Sequence, residues 1–355
     1  MSLEEWGWTE AWAAEAPPCR RGELGRIVGQ ERDRWSIQTQ HGIGAARLPT
    51  ADRLERYPVV GDWVEVVPGP MPSDPWSIVE VLPRRSAFSR GVAGGESSEQ
   101  VLAANIDLVW LVHGLDSPIN PRRLERYLAV AWESGALPEI VLTKSDLATE
   151  LDAVVAEAKR LAVGVEVRVV SVVDPESIER LRSGLARGQT VALLGPSGAG
   201  KSTLINALSG MTVAETGPVR ERDRKGRHTT TRRELFQLSN GALLVDTPGL
   251  RELRVWELDE GLDLAFPEIE ALGRSCRFRD CRHQVEPGCA VLEAADLGRL
   301  DPERLASYRK LQAEASFQAR RADPLLRAAD LSRFKTAMKT LKHHHPKYNP
   351  PADSG

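Results

Sequence analysis

The chain has 355 residues, room for two or three domains of ordinary size. With 27% charged and 41% hydrophobic residues it has the balance of a soluble globular protein, and its net charge of −3 gives no overall sign of a nucleic-acid binder. No apolar run approaches the roughly 18 residues of a membrane span. Met1-Ser2-Leu3-Glu4-Glu5 is acidic where a signal peptide is basic, so a cytoplasmic protein without membrane contact is expected.

From Gly22 to about Pro83 the sequence reads as five short β-strands: Glu23–Val28, Trp35–Thr39, Gly44–Leu48, Asp62–Val67 and Ser77–Leu82. Gly, Pro and Asp separate them. Five strands in about sixty residues suit a small barrel, and pattern alone does not separate an OB-type barrel from an SH3-like one. Trp35, Trp63 and Trp76 are read as its core.

From about Asn105 the period changes. Ile106–Val112 is an apolar run of the kind found in buried parallel strands. Asn120 caps and Pro121 opens a helix reaching Trp132 or Ser134. Strand Glu139–Leu142, a helix near Leu151–Leu161 and strand Val165–Val170 follow, then strand Thr190–Leu194, helix Ser202–Leu208 and strand Ala242–Val245. Such alternation predicts a doubly wound α/β sheet. After about Trp256 strand signals stop. Asp301 and Pro302 open a helix with an apolar stripe of Leu305, Tyr308 and Leu311. Beyond Asp323 the chain turns basic, then Pro-rich, and is expected to be loosely ordered.

Gly195-Pro196-Ser197-Gly198-Ala199-Gly200-Lys201-Ser202, followed by Thr203, lies between a strand and a helix and fits G-x-x-x-x-G-K-[ST]. The glycines let backbone N–H groups close around phosphate oxygens, and the helix N-terminus adds its positive end. Lys201 is expected to reach the β- and γ-phosphates, and Ser202 to hold Mg²⁺. ABC-type ATPases share this string but carry a separate Leu-Ser-Gly-Gly-Gln signature well downstream. Here Leu208-Ser209-Gly210 lies just after the loop, too close to serve. Asp246-Thr247-Pro248-Gly249 follows a strand 45 residues past Lys201 and reads as the Asp-x-x-Gly switch. Asp246 would act on Mg²⁺ through a water, and the Gly249 amide would sense the γ-phosphate.

Thr143-Lys144-Ser145-Asp146 looks like the guanine-reading motif of GTPases, with Thr143 where Asn is usual. A carboxylate at Asp146 accepts from guanine N1 and N2, a pair adenine lacks, and unpaired acceptors reject the wrong base. Lys144 can lie along the purine face, and Ser171 can contribute near guanine O6. This motif ordinarily follows the phosphate loop; here it precedes it.

Cys276-x4-Cys281-x-His283-x5-Cys289 makes a Cys₃His set, a common structural zinc combination that leaves no open position. Two basic runs stand out. Arg220–Arg233 has seven Lys or Arg against two acids, and Phe317–Tyr348 has eight against two, with His343, His344 and His345 besides. Two such runs favour a phosphate-rich partner.

Motif order, Gly226-Arg227-His228-Thr229-Thr230-Thr231 and the cysteine spacing together resemble the RsgA (YjeQ) family of circularly permuted GTPases, over roughly residues 22–320. The resemblance implies a multidomain protein: an N-terminal OB-like β-barrel (1–84), a circularly permuted, doubly wound α/β P-loop GTPase core (85–255) and a C-terminal α-helical zinc-binding domain (256–325). A basic tail (326–355) follows. It further implies GTP hydrolysis to GDP late in 30S ribosomal subunit assembly, with the small subunit and its 16S rRNA as partners, Zn²⁺ and Mg²⁺ as ions, and a monomer. The alternative is a guanine-nucleotide-gated RNA-binding factor with little hydrolysis. Leu250 stands where many GTPases place a water-orienting Gln. His228 is therefore a candidate for positioning the water, and Thr230 is the preferred threonine for completing the Mg²⁺ shell.

Overall fold

The computed structural model describes residues 2–49, 54–71, 74–91, 99–210, 233–246 and 260–322. A 3₁₀ turn (Leu3–Trp6) and helix α1 (Glu10–Glu15) precede strands β1 (Glu23–Glu31), β2 (Arg34–Thr39), β3 (Gly42–Arg47), β4 (Trp63–Val67) and β5 (Trp76–Val81). These pair in the order β1-β2-β3-β5-β4 and close through β1 and β4 into a five-stranded barrel. Trp35 and Trp63 fill its core as expected, whereas Trp76 is only half-buried. The sequence reading missed the N-terminal segment, whose Trp6 and Trp12 are buried. Trp8 meets the Trp63 ring edge-on at 4.8 Å, and the Arg85 guanidinium lies over Trp12 at 4.1 Å.

Strands β6 (Ala87–Gly91) and β7 (Glu99–Ala104) form a separate antiparallel pair. The nucleotide-binding region follows: β8 (Leu108–Gly114), α2 (Pro121–Glu133), β9 (Leu137–Thr143), α3 (Leu151–Leu161), β10 (Glu166–Val169), α4 (Pro175–Ser183), β11 (Thr190–Leu194), α5 (Lys201–Ser209), β12 (Arg233–Gln237) and β13 (Leu243–Asp246). Asn120 caps α2 by accepting from the Arg123 amide, as its sequence signature predicts. Strands β10-β9-β8-β11-β13 run parallel, and β12 joins antiparallel. Alternate residues of β8 face opposite layers: Val109 and Leu111 pack with α2 and α3, Leu108 and Trp110 with α4 and α5. The sheet does not stop at β12. Gly29↔Glu234 and Gln30↔Arg233 pair β1 with β12, so the barrel and the nucleotide sheet share one hydrogen-bonded ladder.

The C-terminal part is helical: α6 (Glu260–Ala265), α7 (Pro267–Gly273), α8 (Ala290–Asp296) and α9 (Pro302–Ala322). Leu305, Tyr308 and Leu311 of α9 are buried, which is the stripe the spacing predicted. One buried ion pair fastens this part to the nucleotide region. Arg304 of α9 donates to Glu125 of α2 at 3.0 Å, to the Leu161 carbonyl at 3.2 Å and to the Ala265 carbonyl at 2.9 Å, and it pairs with Glu268. Ser307 also donates to Glu125. Basic residues 323–355 and most of the Arg220–Arg233 run lie outside the described residues.

Removing Arg304 leaves the Glu125 carboxylate buried without its cation, a loss of roughly 3–5 kcal/mol. Burial already raises Glu125 above the usual carboxylate range. The electrostatic part of the penalty in Arg304→Ala should therefore be absent below the ordinary carboxylate pKa, grow as pH rises from there to the raised folded-state value, and be complete above it. Urea denaturation should show Arg304→Ala strongly destabilised at neutral pH, with part of the loss recovered by Glu125→Gln in the same chain. Wild-type stability of the single variant would contradict this role.

Candidate functional site

The site is assembled where parallel strands end. Strand β11 delivers the loop Gly195–Gly200, and α5 starts at Lys201. Three glycines there have positive φ: 155° at Gly195, 82° at Gly198 and 87° at Gly200. A Cβ on Gly195 would come within 2.3 Å of the Val112 carbonyl oxygen, so the loop can run this close to β8 only with glycine. Lys201 is buried, and its ammonium donates to the Gly195 and Pro196 carbonyls at 2.6 Å each. Ser202 and Thr203 follow on the first turn of α5. Asp246 ends β13, whose pairing with β11 (Ala192↔Val245) brings it to the same edge of the sheet.

The four-residue motif that precedes this loop in the chain lies against it in space. Strand β9 ends at Thr143, beside Gly114 of β8. The Thr143 hydroxyl donates to the Ala199 carbonyl at 2.6 Å and lies 3.3 Å from the His113 carbonyl. Lys144 has a left-handed backbone (φ 59°), and its ammonium donates to the Gly198 carbonyl at 2.8 Å. Ser145 and Asp146 lie in the following 3₁₀ turn, and the Ser171 hydroxyl donates to the Asp146 carboxylate. Thr143 thus bonds the loop despite replacing the usual Asn. Ser171 touches Asp146 directly, and Val172 beside it is exposed.

Of the predicted site residues, Thr143, Lys144, Ser145, Asp146, Gly195 through Thr203 and Asp246 fall within the described residues and converge at one edge of the sheet. Gly249, His228, Thr230 and its neighbouring threonines, Arg227 and Leu250 lie outside them.

A second site lies between α7 and α8. The donor atoms of Cys276, Cys281, His283 and Cys289 all lie within 4.8 Å of one another. Cys276 Sγ is 3.8 Å from Cys289 Sγ, and His283 Nδ1 is 3.6 and 3.4 Å from these two sulfurs. A tetrahedral ion with bonds of about 2.3 Å to sulfur and 2.0 Å to nitrogen has ligand spacings of about 3.8 and 3.5 Å. A disulfide needs sulfurs about 2.05 Å apart, so these thiols are separate. The set can therefore hold a metal ion. His283 is held in place by its loop: its φ is 56°, and the Glu286 carboxylate accepts from the amides of Arg282, Gln284 and Val285 at 3.0, 2.7 and 3.0 Å. Those bonds hold the Glu286 carboxyl down at about 2. Burial keeps the His283 imidazole below its ordinary range, which leaves a neutral nitrogen to ligate. Nothing in the spacing of the cysteines announces Glu286.

A model of the RsgA GTPase family matches residues 81–256. One for the ABC transporter matches residues 178–350; the stretch common to both contains the phosphate loop. The Leu208-Ser209-Gly210 trace ends α5 directly after that loop, which separates the chain from the ABC arrangement. A protein of Opitutus terrae named "Small ribosomal subunit biogenesis GTPase RsgA" is 51% identical over 94% of this chain and 95% of its own. One of the same name from Methanosarcina acetivorans is 43% identical over 90% and 87%. Among solved structures, YjeQ from Thermotoga maritima is 25% identical with a TM-score of 0.60, covering 82% of this chain and 98% of its own. YloQ, described as a circularly permuted GTPase, has the same TM-score at 21% identity, with 84% and 97% covered, and supports the fold. No helix among the described residues is long and apolar enough to cross a membrane. With its base motif ahead of its phosphate loop, both at one edge of the sheet, a closed barrel before them and a Cys₃His cluster after them, the chain belongs to the RsgA family of GTPases.

Proposed function

We propose that this GTPase acts late in assembly of the 30S ribosomal subunit, as a cytoplasmic monomer that binds the subunit and its 16S rRNA in the GTP form and leaves after hydrolysis. The observation that carries the nucleotide half of this reading is the pair of bonds from Thr143 and Lys144 to the Ala199 and Gly198 carbonyls, which fix the base motif to the phosphate loop. The names of the relatives support the ribosomal half. The division into barrel (1–84), GTPase core (85–255), zinc-binding helices (256–325) and basic tail (326–355) is part of the same proposal.

In this reading the amides of Gly195 to Gly200 cradle the β-phosphate, and Lys201 exchanges its carbonyl partners for β- and γ-oxygens. Asp146 accepts from guanine N1 and N2, with Ser171 orienting the carboxylate. Ser202 and Thr230 would hold Mg²⁺, with Asp246 reaching it through a water. When bound, Mg²⁺ neutralises charge on the β- and γ-phosphates. Gly249 senses the γ-phosphate. The Leu250 side chain offers the attacking water no hydrogen bond, so another group, His228 as the candidate or one supplied on docking to the subunit, positions it. Cys276, Cys281, His283 and Cys289 would hold one structural Zn²⁺, and their spacings suit it.

Turnover measured with and without purified 30S subunits tests the reading. A positioned proton-accepting group is worth on the order of a hundredfold or more, and stimulation of at least that scale is expected. Unchanged turnover would sink partner activation and favour the guanine-nucleotide-gated RNA-binding factor with little hydrolysis. Elemental analysis should find one zinc per chain, with Cys281→Ser lowering both zinc content and melting temperature. A zinc-free protein whose fold resists chelators would overturn the metal assignment.

A further inference from the structure

The base motif ends at Asp146, yet its lysine has a second partner outside the motif. Lys144 Nζ lies 2.5 Å from Asp116 Oδ2 as well as 2.8 Å from the Gly198 carbonyl. Asp116 comes from the loop after β8, which is held beside β9 by the Gly114↔Thr143 pairing and by the Leu115 amide donating to the Thr143 carbonyl at 2.9 Å. Gly114 lies beside this contact, and any side chain there would make the Asp116 carboxylate shift. A Cβ on Gly114 would come within 2.7 Å of Asp116 Oδ1 and 3.4 Å of two carbons of the Lys144 stem. The Lys144 hydrogen bond holds the Asp116 carboxyl below the usual carboxylate range, so it is ionised at neutral pH.

A lysine stem has four rotatable bonds, and its packing value against a flat base depends on those bonds being set before the base arrives. One neutral carbonyl fixes only the tip. Adding a carboxylate from a different loop draws the ammonium between two acceptors, which sets the course of the stem across Gly114 and the phosphate loop. We propose that Asp116 is a positioning residue of the guanine-nucleotide site, acting through Lys144. Because the Asp116 side chain is 46% exposed and that of Lys144 28%, the pair has the modest strength of a partly solvated one. The inference rests on the assignment of Lys144 to the base site.

Its test is a double-mutant cycle on the full-length protein, with GDP carrying a fluorescent ribose label as the probe. Asp116→Asn should weaken GDP binding about two- to fivefold, and Asp116→Glu should retain most of the affinity. In a Lys144→Ala background, itself weakened, Asp116→Asn should add no further loss. Wild-type affinity in Asp116→Asn, or an equal loss in both backgrounds, would overturn the proposal while leaving Lys144 in the base site. Unchanged GDP affinity in Lys144→Ala would overturn that assignment and the proposal with it. A merely structural role would weaken binding whether or not Lys144 is present, so the cycle separates the two.

Discussion

The strand β1 carries the architecture because it is bonded on every side. Within the barrel it pairs with β2 and β4; outside it, Gly29 and Gln30 pair with β12 of the nucleotide sheet. That pairing covers what would otherwise be an open sheet edge. The same strand carries Arg26, whose guanidinium is buried at the junction. It donates to the Trp6, Gly61 and Asn105 carbonyls and to the Thr190 hydroxyl, the last at 2.8 Å. Burial pulls its pKa down to about 10, with Asp107 and Asp62 opposing the shift, so the group stays charged at neutral pH. A desolvated cation is costly unless its donors are satisfied. Satisfying them here requires the N-terminal turn, the barrel and the first residue of β11 to be in place together.

That constraint bears on the nucleotide site because of where these strands lead. Strand β11 runs straight from Thr190 into the phosphate loop. Strand β12 directly follows residues 211–232, which include the candidate Thr230, and β13 ends at Asp246. Helix α6 is tied to α2 by the Gly261 amide, which donates to Glu133 at 2.8 Å, and Arg304 fastens α9 to the same helix. Helix α2 begins five residues after Asp116. The permuted order thus sends the chain from Asp246 on towards the helices that flank the Cys₃His cluster.

Much of this was legible in the sequence because each signal has a local physical cause. Glycines at 195, 198 and 200 announce a backbone that must adopt positive φ, and four thiol and imidazole donors at short spacing announce a metal set. The strands of the barrel followed from alternation and turn residues. What escaped depends on partners distant in sequence. The N-terminal tryptophans carry no local signal, and their place is set by Trp63 and Arg26. Continuity of β1 with β12 joins positions about two hundred residues apart. Thr143 departs from the usual Asn, and its bond to the Ala199 carbonyl joins positions 56 residues apart. Asp116 carries no motif, and its meaning comes from the ammonium beside it.

The central claim is that two motifs in reversed chain order form one guanine-reading site, and base specificity tests it most directly. Asp146→Asn replaces one carboxylate acceptor by a donor, which suits the O2 of xanthine in place of the guanine amino group. Equilibrium binding of GDP and xanthosine diphosphate to the wild-type and Asp146→Asn proteins should show the preference reversed, with GDP affinity falling at least tenfold. Undiminished GDP binding by the variant would show that Asp146 does not read the base, and the single-site account would fall.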